Sequence, residues 1–157
     1  MARRIDFYDD PGAPAANSLV PSVNVVVSNA AGEVLLIRRS DNGRWAMPAG
    51  AMELGESMQD CAIREVWEET GLRATKLTPF AFYTNYTYTN DYGHTYQQIL
   101  MSFRIHAWEG ELLRETDEST DAGFFALDEL PGPKSFIVEE TLADLADFER
   151  TGRLVLK

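Results

Sequence analysis

Six carboxylates fall between Ala49 and Leu72: Glu53, Glu56, Asp60, Glu65, Glu68 and Glu69. On a helix turning about 100° per residue, Glu65, Glu68 and Glu69 share one face through i, i+3 and i+4 spacing. Like charges at i, i+4 cost about 0.2–0.5 kcal/mol per pair, and a surface helix ordinarily mixes its signs. Two readings suit such a face. It can be a solvated acidic surface, the usual fate of a charge run. It can also hold a hard divalent cation, which takes oxygen ligands from carboxylates, water and substrate phosphates. Arg64 sits inside the cluster and can orient a neighbouring glutamate through its planar fork. Spacing alone leaves both readings open.

The elements that must position these residues follow from local signals. Ser57 is an N-cap residue with Asp60 three positions on, and Gly71 is a C-terminal stop, which predicts a helix from Ser57 to Thr70. Ile63, Val66 and Trp67 fall roughly opposite the acidic face and are expected to pack on a sheet. "VPSVNVVVSN" (20–29) and "EVLLIRRS" (33–40) read as strands joined by a short turn, a hairpin. "DNGRWAMPAG" reads as a loop. Segments 72–84 and 96–108 read as strands with a Tyr-, Thr- and Asn-rich connection, and 121–127 as a short strand. In 135–149, Val138, Leu142, Leu145 and Phe148 share a helical face. Strands, a helix, more strands and a second helix give a mixed α/β domain with helices on a sheet. A length of 157 residues suits one domain, 1–157, with 1–19 as an N-terminal arm.

The chain carries 25 Asp and Glu against 14 Lys and Arg, a net charge of -11. That balance argues against nucleic acid as a partner, which wants a basic face. It is compatible with a phosphorylated small molecule when divalent cations lie between. No apolar run approaches the roughly 20 residues of a membrane span. The opening "MARRIDFYDDPG" has no apolar stretch of the signal-peptide type. The single cysteine, Cys61, forbids an internal disulfide and fits a reducing compartment, so the expected location is cytoplasmic.

Gly50, then Glu56 after five residues, then Arg64-Glu65-Val66-Trp67-Glu68-Glu69-Thr70-Gly71-Leu72 after seven more, resembles the Nudix box at every fixed position. The flanks resemble the family too, through the strands before the box and "GFFALDELP" after it. The resemblance implies a Nudix-type α/β/α sandwich with a mixed central sheet, and Mg2+ or Mn2+ as cofactor. It implies that Glu65, Glu68 and Glu69 ligate metal, with the backbone carbonyl of Gly50 as a further ligand. Glu56 and Arg64 would brace the loop against the helix, Gly50 and Gly71 would serve backbone geometry, and Val66 and Leu72 would be core. Relatives differ in their catalytic base. Here Glu68 or Glu69 is one choice, and Glu115, Asp117 or Glu118 the other, with Glu118 most like the acidic residue before the late strand. Where relatives usually have Pro-Gly-Gly, this chain has Pro48-Ala49-Gly50, so a slightly different entry loop is expected.

The implied activity is metal-dependent cleavage of the pyrophosphate linkage in a nucleoside diphosphate derivative, with ADP-ribose or a nucleotide sugar favoured. A nucleoside triphosphate pyrophosphatase is the alternative within that chemistry, and a catalytically silent ligand sensor is the alternative outside it. The isomerase branch of the superfamily needs a cysteine in a loop, whereas Cys61 falls inside the box helix and reads as packing. Outside the box, Arg38 and Arg39 point to opposite faces of a strand, and Arg38 is taken as the cleft-facing, substrate-binding one. Arg44 is a further phosphate candidate. Tyr83, Tyr86 and Tyr88 offer stacking surfaces for a base, with Tyr83 taken as substrate-binding. The same rings also read as strand-face packing or as a homodimer contact. His94 and His106 read as structural.

Overall fold

Strand β2 (Ser18–Val27) explains the layering. Its Val23, Val25 and Val27 join one apolar core with Leu35, Phe103 and Ile105, while Val26 joins a second with Leu36, Phe80 and Leu100. A strand buried on both faces needs cover on both. Helix α1 (Met58–Thr70) covers the first face with Cys61, Ala62 and Val66. Helix α2 (Ile137–Thr151) covers the second with Val138, Leu142, Leu145 and Phe148, the four residues expected to share its face. This computed structural model describes residues 4–8, 10–90 and 92–157. Within them the molecule is the expected α/β sandwich.

Two sheets lie between the helices. The larger runs β1 (Arg4–Tyr8), β6 (Arg73–Asn90), β7 (Thr95–Glu109), β2, β5 (Ala49–Ala51), with β9 (Val155–Leu156) also paired to β6. The smaller runs β4 (Trp45–Ala46), β3 (Val34–Arg39), β8 (Ser119–Phe125). Strands β2 and β7 are parallel, as are β6 and β9, and the remaining pairs are antiparallel, so the sheet is mixed. Among the described residues no helix is long and apolar enough to cross a membrane.

Several local expectations change. The hairpin of 20–29 with 33–40 does not form. Its turn exists, closed by Gly32 donating to Asn29 and by one bridge between Ser28 and Val34. Beyond that bridge both edges of β2 are taken, by β5 and β7, and β3 joins the other sheet. The supposed loop at 41–50 contains β4 and the start of β5, and the Tyr-rich connection is strand up to Asn90. Part of the expected N-terminal arm is a strand, since β1 pairs with the far end of β6; residues 1–3 and 9 of that arm lie outside the described residues.

Helix α1 starts and stops as expected. The Ser57 hydroxyl accepts from the Asp60 amide and the Asp60 side chain reaches back, a capping box, while Gly71 takes a left-handed conformation at the end. Its packed face is different from the expected one. Val66 is fully buried, but Ile63 and Trp67 are exposed, Trp67 at 48%. Cys61, Ala62, Glu65, Val66 and Glu69 are buried instead. The acidic face therefore adjoins the packed face and is drawn in toward β5.

Candidate active site

Burial of the acidic face begins at β5. The antiparallel pairing of Ser22, Val23 and Asn24 with Ala51, Gly50 and Ala49 holds that short strand beside α1. The Ala49 amide donates to Glu69 Oε2 at 2.9 Å. Gly50 is required for closeness and not for a left-handed backbone. A Cβ there would lie 2.5 Å from Glu65 Oε2 and closer still to Oε1 and Cδ. Ala49 replaces the family's usual glycine without strain, because a strand conformation admits any side chain.

Arg64 organises the remainder. Its Nε donates to Glu56 Oε2 at 3.0 Å and its Nη2 to Glu56 Oε1 at 2.7 Å, a two-pronged fork. Nη2 also donates to the Ala51 carbonyl at 3.1 Å, and the Glu53 amide donates to Glu56 Oε1 at 2.7 Å, so the loop after β5 is tied to the helix. The fork holds the Glu56 carboxyl down at about 2. The other edge of the guanidinium, Nη1, donates to Glu65 Oε1 at 2.7 Å and to Glu68 Oε2 at 3.2 Å.

One arginine cannot neutralise all this charge. Burial pushes the Glu69 carboxyl up to about 8; Glu65 and Glu118 push the same way, against the Ala49 amide and Arg39. Burial likewise raises Glu65, partly offset by Arg64. Glu68 is exposed, and with Glu69 it lines a groove of about 560 Å³ whose opposite wall is Glu115, Thr116, Asp117 and Glu118. The Ser40 amide and hydroxyl both donate to the Glu118 carbonyl at 3.0 Å, which fixes that loop to the end of β3.

Hard carboxylate oxygens in excess of cationic partners are the donor set a divalent cation requires. Glu65, Glu68 and Glu69 fit that role by chemistry, and Gly50 lets the Glu65 carboxylate lie close against β5. Among the described residues no three such side chains converge as a metal-holding group, and Arg64 takes up Glu65 Oε1 and Glu68 Oε2. Cys61 is buried, with its thiol pushed up to about 12 mainly by desolvation, and is a packing residue with no nucleophilic character.

On the other side of β5 lies a cleft of about 790 Å³, lined at one end by Ala49 and Gly50 and at the other by Ile5, Asp6, Tyr86, Tyr88 and Phe136. Two expected binders are not in it. Tyr83 is fully buried, and its hydroxyl donates to Asp144 at 2.5 Å, so no base can stack on it. The register shifts between Tyr83 and Tyr86, and it is Tyr86 and Tyr88 that reach the cleft. Arg38 points away, its Nε on the Gly43 carbonyl at 3.3 Å. Arg39 takes the cleft side, paired with Asp41 at 2.6 Å and within electrostatic reach of both Asp6 and Glu69. Strand alternation allows one of the two arginines to face the cleft; the irregularity between them decides which. Asp6 has no sequence signal at all, since nothing local predicts that β1 pairs with β6.

Comparison with known proteins gives the same outline. The family model described as NUDIX domain matches residues 18–145. A MutT-like protein of Streptomyces ambofaciens is 33% identical over 126 residues, covering 80% of this chain and 76% of that protein. An NAD-capped RNA hydrolase NudC of Vibrio cholerae is 33% identical over 119 residues, covering 69% of this chain but 39% of that protein. The chain thus spans well under half of that longer relative. The solved MutT NUDIX hydrolase of Burkholderia pseudomallei superposes with a TM-score of 0.68 at 24% identity, covering 81% of this chain and 98% of that one.

Proposed function

This chain belongs to the NUDIX family of pyrophosphate-cleaving hydrolases, and from that premise we propose that it cleaves the pyrophosphate linkage of a nucleoside diphosphate derivative, with ADP-ribose or a nucleotide sugar as the favoured substrate. The observation that carries the reading is the burial of Glu65 and Glu69 against Gly50 and Ala49, with Glu118 across a groove on one side and an aromatic-lined cleft on the other. The family generally uses divalent cations; Glu65, Glu68, Glu69 and the Gly50 carbonyl would hold Mg2+ or Mn2+, which would supply positive charge to the pyrophosphate oxygens and the attacking water.

The chain's own residues do the rest. Gly50 lets the Glu65 carboxylate lie against the backbone of β5, and the Ala49 amide fixes the rotation of Glu69. Arg64, forked onto Glu56, locks the loop and the helix into one piece, so the carboxylates keep their spacing through turnover. Glu118, on a loop fixed by Ser40, faces Glu69 and takes the proton from the attacking water. Arg39, in the cleft, offsets phosphate charge on the nucleoside side. The cleft admits a nucleotide by volume, within the 300–1,000 Å³ usual for ligand pockets.

The test is a substrate panel with Mg2+ and Mn2+: ADP-ribose, nucleotide sugars and nucleoside triphosphates, with product identity read by chromatography. The expected result is metal-dependent release of a nucleoside monophosphate from the diphosphate derivatives. Pyrophosphate release from triphosphates alone would replace this substrate class by the triphosphate one. Tight binding with no metal-dependent turnover would replace the enzyme by a sensor.

A further inference from the structure

Arg39 ends β3 just past the irregularity in its pairing with β8, and it lines the cleft. The chain then reverses into β4 through a tight turn. The Arg39 amide donates to the Arg44 carbonyl and the Gly43 amide to the Arg39 carbonyl, both at 2.9 Å. The Asn42 side chain accepts from the Arg44 amide at 2.9 Å. These bonds close the turn without the Asp41 side chain. That side chain is nevertheless only 5% exposed, and both of its oxygens go to one partner. Arg39 Nε donates to Asp41 Oδ1 at 2.9 Å and Nη2 donates to Oδ2 at 2.6 Å, a two-pronged grip.

The grip answers a need that the turn does not have. Asp6, at the far end of the cleft, and Glu69, held by the Ala49 amide at the near end, both attract Arg39. Under those attractions alone a long, flexible side chain is shared between two directions. Asp41 gives it one. The fork uses two of the guanidinium's five N–H groups, and among the described residues the other three have no partner. The Arg39 side chain stays 26% exposed, on a cleft whose near end adjoins the acidic helix. A planar guanidinium with a free edge matches the oxygens of a phosphate better than a point charge does.

Resting on the nucleotide-substrate reading above, we propose that Asp41 is a positioning residue, which holds Arg39 so that the unused edge of its guanidinium meets the phosphate on the nucleoside side of the scissile bond. Asp41 acts through Arg39 and touches no substrate itself. Its effect falls on binding of that phosphate, while metal binding and bond cleavage stay with the acidic helix and Glu118.

The test uses the full chain, with AMP and UMP as probes beside adenosine and uridine, which lack only the phosphate. Titration calorimetry in EDTA gives the ratio of nucleotide to nucleoside affinity for wild type, Asp41→Asn, Arg39→Gln, the double variant and Arg39→Lys. Asn keeps one oxygen for Nε but sets an amino group against Nη2, donor to donor, so the grip fails with little change of volume. Wild type should bind at least one nucleotide about tenfold more tightly than its nucleoside. Asp41→Asn and Arg39→Gln should each bring that ratio near unity and leave nucleoside affinity within about twofold, and the double variant should lose no more than either single one. Arg39→Lys keeps the charge without the fork and should fail likewise. On the best substrate of the panel, Asp41→Asn should raise KM about tenfold and hold kcat within about twofold. Equal affinity of wild type for nucleotide and nucleoside, or no measurable binding of either, would overturn the proposal. So would additive losses in the double variant, an intact ratio in Asp41→Asn, or an intact ratio in Arg39→Lys, which would leave charge as the whole requirement. Weaker Mg2+ binding in Asp41→Asn would assign it to the acidic helix, and an unfolded Asp41→Asn in thermal melts would make it structural; either overturns the positioning role. The ratios need no turnover, so failure of the hydrolysis panel and failure of this proposal are told apart.

Discussion

Replacing Gly50 by alanine isolates the steric basis of the acidic site. The backbone there is strand, so alanine brings no conformational strain. The added methyl would meet Glu65 Oε2 at 2.5 Å and overlap the rest of the carboxylate, roughly 1 Å or more inside ordinary contact. The obstacle is the end of a flexible side chain, so Glu65 swings out and gives up its 2.7 Å bond from Arg64 Nη1. A hydrogen bond to a charged group is worth about 1.5–3 kcal/mol. Part of that returns, because burial already disfavours the ionised Glu65. The net loss of stability should be about 1 kcal/mol, a drop of about 2–4 °C in Tm for a chain of this size. Turnover should fall far more, by about 100-fold, since a 1 Å misplacement of a positioned group has that effect. Thermal melts, Mg2+ titration and kcat/KM on the best substrate of the panel measure the three quantities. Full activity with unchanged Mg2+ affinity in G50A would refute the idea that Glu65 must lie against bare backbone. An unfolded variant would refute the idea that Glu65 can yield.

Four further outcomes are expected. In the presence of EDTA, Glu69 contributes stability that is complete below its ordinary value of 4.5 and is lost as pH rises through about 8, because its folded value is raised. Glu69→Gln has no such loss, so it should overtake wild type between pH 5 and pH 9 by about 2–3 kcal/mol in urea melts, under a ceiling of about 5; parallel pH profiles would contradict the burial argument. With Mg2+ the same variant should lose turnover by orders of magnitude and should no longer be the more stable protein, as melts with and without metal will read. Glu118→Gln should cut kcat about 100-fold while leaving Mg2+ affinity within a factor of two, and equal losses in both would make it a ligand instead of the base. Tyr83→Phe should lower stability by about 1–3 kcal/mol through the lost hydrogen bond to Asp144, which keeps its 3.1 Å pair with Lys157, and leave KM unchanged; a raised KM would return that ring to the substrate.

What could be read from sequence divides along the range of the interactions. Helix α1 was legible because Ser57, Asp60 and Gly71 act within a turn of their own backbone. The roles assigned to Glu65, Glu68, Glu69 and Glu118 came from motif resemblance, and the structure gathers these residues around one site. Arg38 and Tyr83 were misassigned for a shared reason. Alternation along a strand is broken by register shifts between Arg38 and Arg39 and between Tyr83 and Tyr86, and those irregularities are set by the partner strands. The β2–β3 hairpin failed for the same cause on a larger scale, since β2 finds its parallel partner in β7, over 70 residues away. Asp6 was invisible because its meaning depends wholly on where β1 docks.

The two helices sit in separate cores that share β2 as a common wall. Loosening one core need not disturb the other. Helix α2, whose first turn adjoins Phe136, and helix α1 thus answer to different sets of contacts. Amide exchange should therefore resolve two protection classes, a slower one around Cys61 to Val66 and a faster one around Val138 to Leu145, with ligand slowing only the second.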